Sequence, residues 1–325
     1  MKTKLLAVMA TLGMVASASA VKVNNNLSIN GFIDGSYVST DAGASDVSNI
    51  GIDEVELNFL VNAGNISGEL HVDTIGANTQ AGDSDATNEL EIEQVHFSYS
   101  FGNGASAQVG RFGSALGLER EDPAGLYTFS RAYGNNAFNL GDVDSGHVGE
   151  GARLSYTAGD FGASLALYNG AGDAEDNGSA NDDLDFELAV SYNGIENLSV
   201  GAGLQTTRPQ GNGKDVEIYT VNAAYTLNKV LIAGEYTNSE EDGSSDISAY
   251  SILADYDVND KLGLAVRYSN WEQINGAAIE ESDKLTFAPN YAITDSLGAI
   301  VEFSAQEDHD GTETDSVAIE LTYTF

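Results

Sequence analysis

The sequence predicts an all-β fold: a transmembrane antiparallel up-and-down β-barrel of about 16 strands. Three observations predict it. Segments of roughly ten residues alternate apolar and polar side chains, which is the period and length of a tilted, membrane-crossing strand. The connections between them alternate short and long. Tyr and Phe gather at the strand ends, on the apolar face.

The strands are expected at 27–38, 51–62, 65–75, 89–101, 105–112, 151–158, 161–169, 184–193, 197–207, 215–226, 229–238, 246–257, 261–271, 282–292, 297–305 and 315–325. In 184–193, Leu184, Phe186, Leu188, Val190 and Tyr192 fall on one face and Asp185, Glu187, Ala189 and Ser191 on the other. Successive strand side chains point to opposite faces, so a period of two is the strand signature. Short connections such as Ala63-Gly64, Gly159-Asp160 and Leu227-Asn228 join neighbouring strands on one side. The long connections, 39–50, 76–88, 113–150, 170–183, 208–214, 239–245, 272–281 and 306–314, are rich in Asp, Gly, Asn and Ser. Such asymmetry is a property of outer-membrane barrels; a soluble sandwich fits the alternation but does not need it.

The aromatic positions separate the two. Tyr99, Phe101, Tyr156, Tyr192, Tyr225, Tyr256, Tyr291, Tyr323 and Phe325 lie near the short turns, and Tyr37, Tyr236 and Tyr268 near the long connections. Rings with one apolar and one polar edge settle at the bilayer interface, so the pattern predicts two belts. Tyr323 and Phe325 end the last strand and are candidates for a terminal signal read by the outer-membrane assembly machinery.

The amino terminus is read apart from the barrel. Lys2 and Lys4 precede an apolar stretch from Leu5 to Val15, followed by Ser17-Ala18-Ser19-Ala20. That order describes a secretory signal peptide, residues 1–20, cut after Ala20; residues 21–325 then form one barrel domain. The apolar stretch is too short to span a bilayer as a helix, and no other run in the chain is long enough.

Composition narrows the function. The chain has no cysteine, so disulfides, thiolate metal sites and thiol nucleophiles are excluded. Its formal charge is −37, and loss of Lys2 and Lys4 makes the mature chain −39. Such a surface repels nucleic acid. Acidity of this kind also marks disordered chains, but 15 Tyr and 12 Phe in alternating positions argue for ordered strands.

The connection 113–150 is far longer than the rest, and a loop of that length in a compact fold is usually functional. It carries or adjoins Arg111, Arg120, Arg131 and Arg153, interleaved with Glu119, Glu121, Asp122, Asp142, Asp144 and Glu150. Its runs Gly110-Arg111-Phe112, Gly117-Leu118-Glu119-Arg120-Glu121-Asp122-Pro123 and Tyr127-Thr128-Phe129-Ser130-Arg131 resemble the third-loop region of Gram-negative outer-membrane porins. They are most similar to the OmpL-like β-barrel porins, over roughly residues 105–170. The resemblance implies a loop folded into the lumen, charged loop residues facing bases on the wall, and a homotrimer. The candidate constriction is Arg111, Glu119, Arg120, Glu121, Asp122, Arg131 and Arg153. Arg153 is the firmest wall base; Arg111 has outward parity unless a bulge redirects it. The alternative is a surface loop with solvated charges.

Strand parity also gives the lumen lining. Expected inward acids are Asp34, Glu54, Glu56, Glu69, Asp73, Asp185, Glu187, Glu235, Asp255, Glu302 and Glu320, against the bases Arg153, Arg267 and Lys284. An acidic lining favours cations. His71 and His96 fall on the inward parity of adjacent strands and could approach each other, but are expected to be solvated; His147 and His309 stand apart. No catalytic motif or cofactor site is found, and an enzyme is not expected. Glu307-Asp308-His309-Asp310-Gly311 and 173–183 could attract loosely bound Ca²⁺ or Mg²⁺, with lipopolysaccharide as a partner. The reading is a water-filled, cation-preferring channel for passive diffusion of ions and small hydrophilic solutes. The alternatives are a substrate-selective channel and a closed-barrel adhesin or receptor acting through its acidic loops.

Overall fold

The computed structural model describes residues 20–43, 46–75, 89–119, 123–132, 148–169, 184–207, 215–241, 245–276 and 278–325. The expected signal peptide, 1–20, lies outside these residues apart from Ala20, as do Arg120, Glu121, Asp122 and the acidic stretch 173–183.

The described strands are β1 (Val21–Lys22), β2 (Leu27–Asp41), β3 (Asp46–Ala63), β4 (Ile66–Ile75), β5 (Glu89–Gly102), β6 (Ala105–Gly113), β7 (Val148–Ala158), β8 (Phe161–Asn169) and β9 (Leu184–Ile195). They continue as β10 (Leu198–Thr207), β11 (Val216–Leu227), β12 (Val230–Glu241), β13 (Ser245–Asp257), β14 (Leu262–Asn275), β15 (Ala278–Ala292), β16 (Leu297–Asp308) and β17 (Glu313–Thr324). From β2 to β17 each strand pairs antiparallel with the next, and β17 pairs back onto β2, closing a 16-strand barrel. β1 is a two-residue addition against β2. Closure leaves no unpaired edge, the condition for backbone inside a bilayer.

Every expected strand is present. Several run further toward the long connections than expected: β3 starts at Asp46 rather than 51, and β12 extends to Glu241 rather than 238. The reason is physical. In β12 the added residues Ser239, Glu240 and Glu241 are polar on both faces, so the ladder continues without an alternation to mark it, and in β3 the added Asp46-Val47-Ser48-Asn49-Ile50 breaks strict alternation. The short turns are tight, as at Asn228-Lys229, where Leu227 pairs with Val230 and Asn228 takes the left-handed φ of 54°.

Burial is inverted relative to a soluble protein. Ile50 (78 % exposed), Leu90 (72 %) and Phe161 (62 %) lie on the outer face, while Glu56, Asp185 and Glu187 are fully buried inside. Exposed apolar residues ring the outer surface on strand after strand. In water so large an apolar surface would be an aggregation site; in lipid it is the solvated face. Tyr99, Phe101, Tyr156, Phe161, Tyr225, Tyr256, Tyr291 and Tyr323 are exposed near the short turns, and Tyr37, Tyr219, Tyr236, Tyr250 and Tyr268 toward the other end.

Among the described strands the register shifts at four places, two of them beside short turns and two mid-strand, where they change the inside–outside parity. The β2–β3 register slips between Asp34 and Gly35, so Asp34 pairs with Glu54 and Gly35 with Ile52, leaving Asp53 extra. The β4–β5 register slips between His71 and Val72, so His71 pairs with Gln94 and Val72 with Ile92, leaving Glu93 extra. A bulge sets two residues against one and re-aims side chains. Parity taken from Val95, Phe97 and Tyr99 places Glu93 outward; in the fold it is buried.

Candidate functional site

The loop after β6 enters the barrel and runs along the inner wall. At its root, Arg153 on β7 donates to the Gly113 carbonyl and the Tyr168 hydroxyl, both at 2.7 Å, and to Glu187 Oε1 on β9 at 3.1 Å. Its guanidinium also lies 4.6 Å from the Phe112 ring centroid. Glu187 in turn accepts the Ser114 hydroxyl at 2.5 Å and the Ala115 N–H at 3.1 Å. The next wall carboxylate, Glu235 on β12, accepts the Leu118 N–H.

Further along, Arg267 on β14 donates to Glu119 Oε1 at 2.6 Å, Thr128 Oγ1 at 2.7 Å and Ser130 Oγ at 3.1 Å. Glu302 on β16 accepts the Ser130 N–H at 3.0 Å. Within the loop, Arg131 donates to the Glu119 carbonyl and the Ala132 N–H to Glu119 Oε2, both at 2.5 Å. Ser269 on β14 donates to the Ala132 carbonyl at 2.5 Å. Irregular backbone inside a barrel must find partners for its N–H and C=O groups, and here inward side chains supply them.

Apolar contacts follow the same wall. Leu118 and Tyr127 pack on Ala224, Leu231 and Ala233, and Tyr127 and Phe129 pack on Ala265, Ala288 and Ile300. Gly203 on β10 leaves room for the loop: a Cβ there would stand 2.1 Å from Leu116 Cδ2. A 3₁₀ turn, Pro123–Gly125, carries the chain across to β17 and β2. This apolar seat was missed in the sequence. Its signal is small residues at inward positions of β11 to β15, where a wet lumen needs none.

The described members of the expected constriction therefore take different roles. Glu119 and Arg131 lie on the loop inside the barrel, while Arg153 pins the loop's root to Glu187. Arg111 keeps the outward-parity register opposite Val95, and its Nε donates to the Glu93 carbonyl at the bulge, 2.8 Å away. Among the inward acids, Glu187, Glu235 and Glu302 are anchors for loop backbone. Asp185 is inward and fully buried. Lys284 lies within electrostatic range of Arg267, Glu302 and Glu119, so it belongs to the same group.

The wall formed by β2 to β5 has the opposite character. Glu54 lies within electrostatic range of Glu56, Asp73, Glu93 and Asp34. Asp34 accepts the Thr322 hydroxyl at 3.1 Å and neighbours Glu320 of β17. His71 and His96 both reach Glu69 Oε2, at 3.2 and 3.9 Å. The two histidines were expected to be solvated; instead their side chains are only 15 % and 9 % exposed. His71 is surrounded by Glu56, Glu69 and Glu93, and His96 by Glu69 and the Phe112 ring. At the surface, in the turn after β16, Asp310 Oδ1 accepts the Thr312 N–H at 2.9 Å, and bonds from Thr312 hold its carboxyl below the usual range.

Among solved structures, OmpF of Salmonella typhi in complex with daunomycin is similar at TM-score 0.74 and 16 % identity, over 94 % of this chain and 100 % of that one. The outer membrane channel DcaP of Acinetobacter baumannii is similar at 0.67 and 13 %, over 95 % and 100 %. The in-vitro folded trimer form of OmpT, an outer membrane protein of Vibrio cholerae, is similar at 0.65 and 15 %, over 93 % and 100 %. These likenesses show the fold. A search of curated proteins finds no match. The family model of the Gram-negative porins matches residues 5–312, so this outer-membrane barrel belongs to the Gram-negative porin family.

Proposed function

We propose that the barrel is a passive, water-filled channel for ions and small hydrophilic solutes, that the loop after β6 narrows it, and that it prefers cations. One observation carries the preference. Arg153 and Arg267 are engaged with Glu187 and Glu119, whereas the β2–β5 wall holds Asp34, Glu54, Glu56, Asp73 and Glu93 with Arg111 as its nearby arginine. Fixed negative charge along a narrow aqueous path concentrates cations. Catalysis is not part of the proposal: Glu187, Glu235 and Glu302, with Arg153 and Arg267, hold the loop.

Planar-bilayer recording tests the reading. Steady single-channel conductance is expected from the purified protein, and removal of residues 115–135 should raise it. A barrel that inserts but gives no steady current favours the adhesin or receptor reading; saturation by one solute class favours a substrate-selective channel. A homotrimer is part of the proposal, supported by the trimer form of the similar Vibrio cholerae protein. Cross-linking in detergent reads it directly. The exposed apolar band fits lipid and lipopolysaccharide as surroundings, and Tyr323 with Phe325 fits recognition by the assembly machinery.

A further inference from the structure

Glu56 on β3, His71 on β4 and Glu93 on β5 each bring one ligand atom to a common point, all within 4.8 Å of one another. Glu93 arrives there because of the β5 bulge. Glu56 is fully buried and Glu93 is 5 % exposed. Both carboxylate oxygens of Glu56, Oε2 of Glu93 and Nδ1 of His71 are buried without a hydrogen bond. His71 Nδ1 stands 3.2 Å from Glu56 Oε1 and 3.9 Å from Glu93 Oε2, contacts that are ion pairs when the ring is protonated.

The other ring nitrogen is engaged: His71 Nε2 hydrogen-bonds Glu69 Oε2 at 3.2 Å. In the neutral ring a carboxylate on one imidazole nitrogen keeps the proton there and leaves the other nitrogen a lone pair, the arrangement that prepares histidine for a metal. That lone pair then faces two buried carboxylates. Leaving such groups unmatched is costly. A proton on Nδ1 could serve one oxygen only, whereas an ion placed between them would serve all three ligands.

We propose that Glu56, His71 and Glu93 bind one divalent transition-metal ion of the Zn²⁺ class from the lumen, with Glu69 as the positioning residue for the ring. One imidazole and two carboxylates suit a first-row ion better than Ca²⁺ or Mg²⁺, which take oxygen ligands. Zinc–ligand bonds of about 2.0–2.2 Å put tetrahedral donors roughly 3.3–3.6 Å apart. The Nδ1–Oε1 distance of 3.2 Å is already close to that, and small side-chain rotations bring in Glu93. Glu54 and Asp73 nearby add negative potential that draws a cation in. Glu69, with a side chain 41 % exposed, marks the way in from the lumen. The inference needs the folded barrel but not its conductance, so its failure and that of the channel reading are separable.

The test is calorimetric titration of ZnCl₂ into EDTA-treated, full-length mature barrel in detergent with excess Mg²⁺. Folding is verified by the heat shift in gel mobility. One Zn²⁺ per chain is expected. Binding should vanish in His71→Ala and Glu56→Gln, weaken about 10–100-fold in Glu69→Gln, and persist in His309→Asn. Should a ligand variant fail to fold, Co²⁺ is added to the unmodified protein: visible bands displaced by one equivalent of Zn²⁺ support the site. No stoichiometric binding, no Co²⁺ bands, or unchanged affinity in folded His71→Ala or Glu56→Gln overturns it.

Discussion

Arg267 of the barrel wall holds Glu119 of the inner loop at 2.6 Å, across 148 residues of sequence. The same guanidinium takes Thr128 and Ser130, so one fully buried wall residue ties together the outgoing and returning limbs of the loop. Replacing Arg267 with Ala leaves Glu119 facing a void inside the barrel. Removing one partner of a buried pair costs about 3–5 kcal/mol. The expected outcome is a barrel that still assembles, with the loop released to protease and a larger, noisier conductance. Unchanged conductance and protection would show that the loop is held elsewhere.

Glu187 makes the second anchor. Glu187→Gln removes a charge that Arg153, Ser114 and Ala115 share. Charge-assisted bonds contribute about 1.5–3 kcal/mol each, so the thermal midpoint of the folded band should fall. Adding Arg153→Met should recover part of the loss, because the double variant no longer strands a guanidinium. Strictly additive losses would mean that the pair is not coupled.

Much of this fold is legible in the sequence, because lipid on one side and water on the other write a period of two into every strand. Asp185 and Glu187 could be placed inward from Leu184, Phe186 and Leu188 alone. Glu93 could not. Its position depends on a bulge, whose trace is a parity break: Leu90 and Ile92 keep one register of outward residues, Val95, Phe97 and Tyr99 the other. Ile50 and Ile52 against Leu57 and Val61 show the same break around Asp53 and Glu54. The division of labour among the acids was also hidden. Parity says that Glu187, Glu235 and Glu302 face inward; only the folded loop shows that they hold backbone N–H groups there.

Phe325 closes the seam of the barrel. Its N–H donates to the Gly31 carbonyl at 3.1 Å and its carbonyl accepts the Gly31 N–H at 3.2 Å, while its ring stacks on Tyr323 with centroids 5.9 Å apart. Deleting Phe325 removes both bonds and the ring at the point where β17 meets β2. The expected result is a marked fall in folded protein recovered from outer membranes. Recovery at the unmodified level would remove Phe325 from the assembly signal.

Arg153 and Arg267 hold the loop to the inner wall, and in the proposed channel the β2–β5 acids set the field in the pore. Reversal potential across a KCl gradient, with EDTA present, measures it most directly. The Debye length is about 30 Å at 0.01 M salt and about 3 Å at 1 M, so the preference should be strongest in dilute solution and fade as salt rises. The account predicts a cation-selective reversal potential in dilute KCl that shrinks toward zero in concentrated KCl. An anion-selective potential in dilute KCl would contradict it, and would mean that the arginines, though paired, still govern the narrowest section.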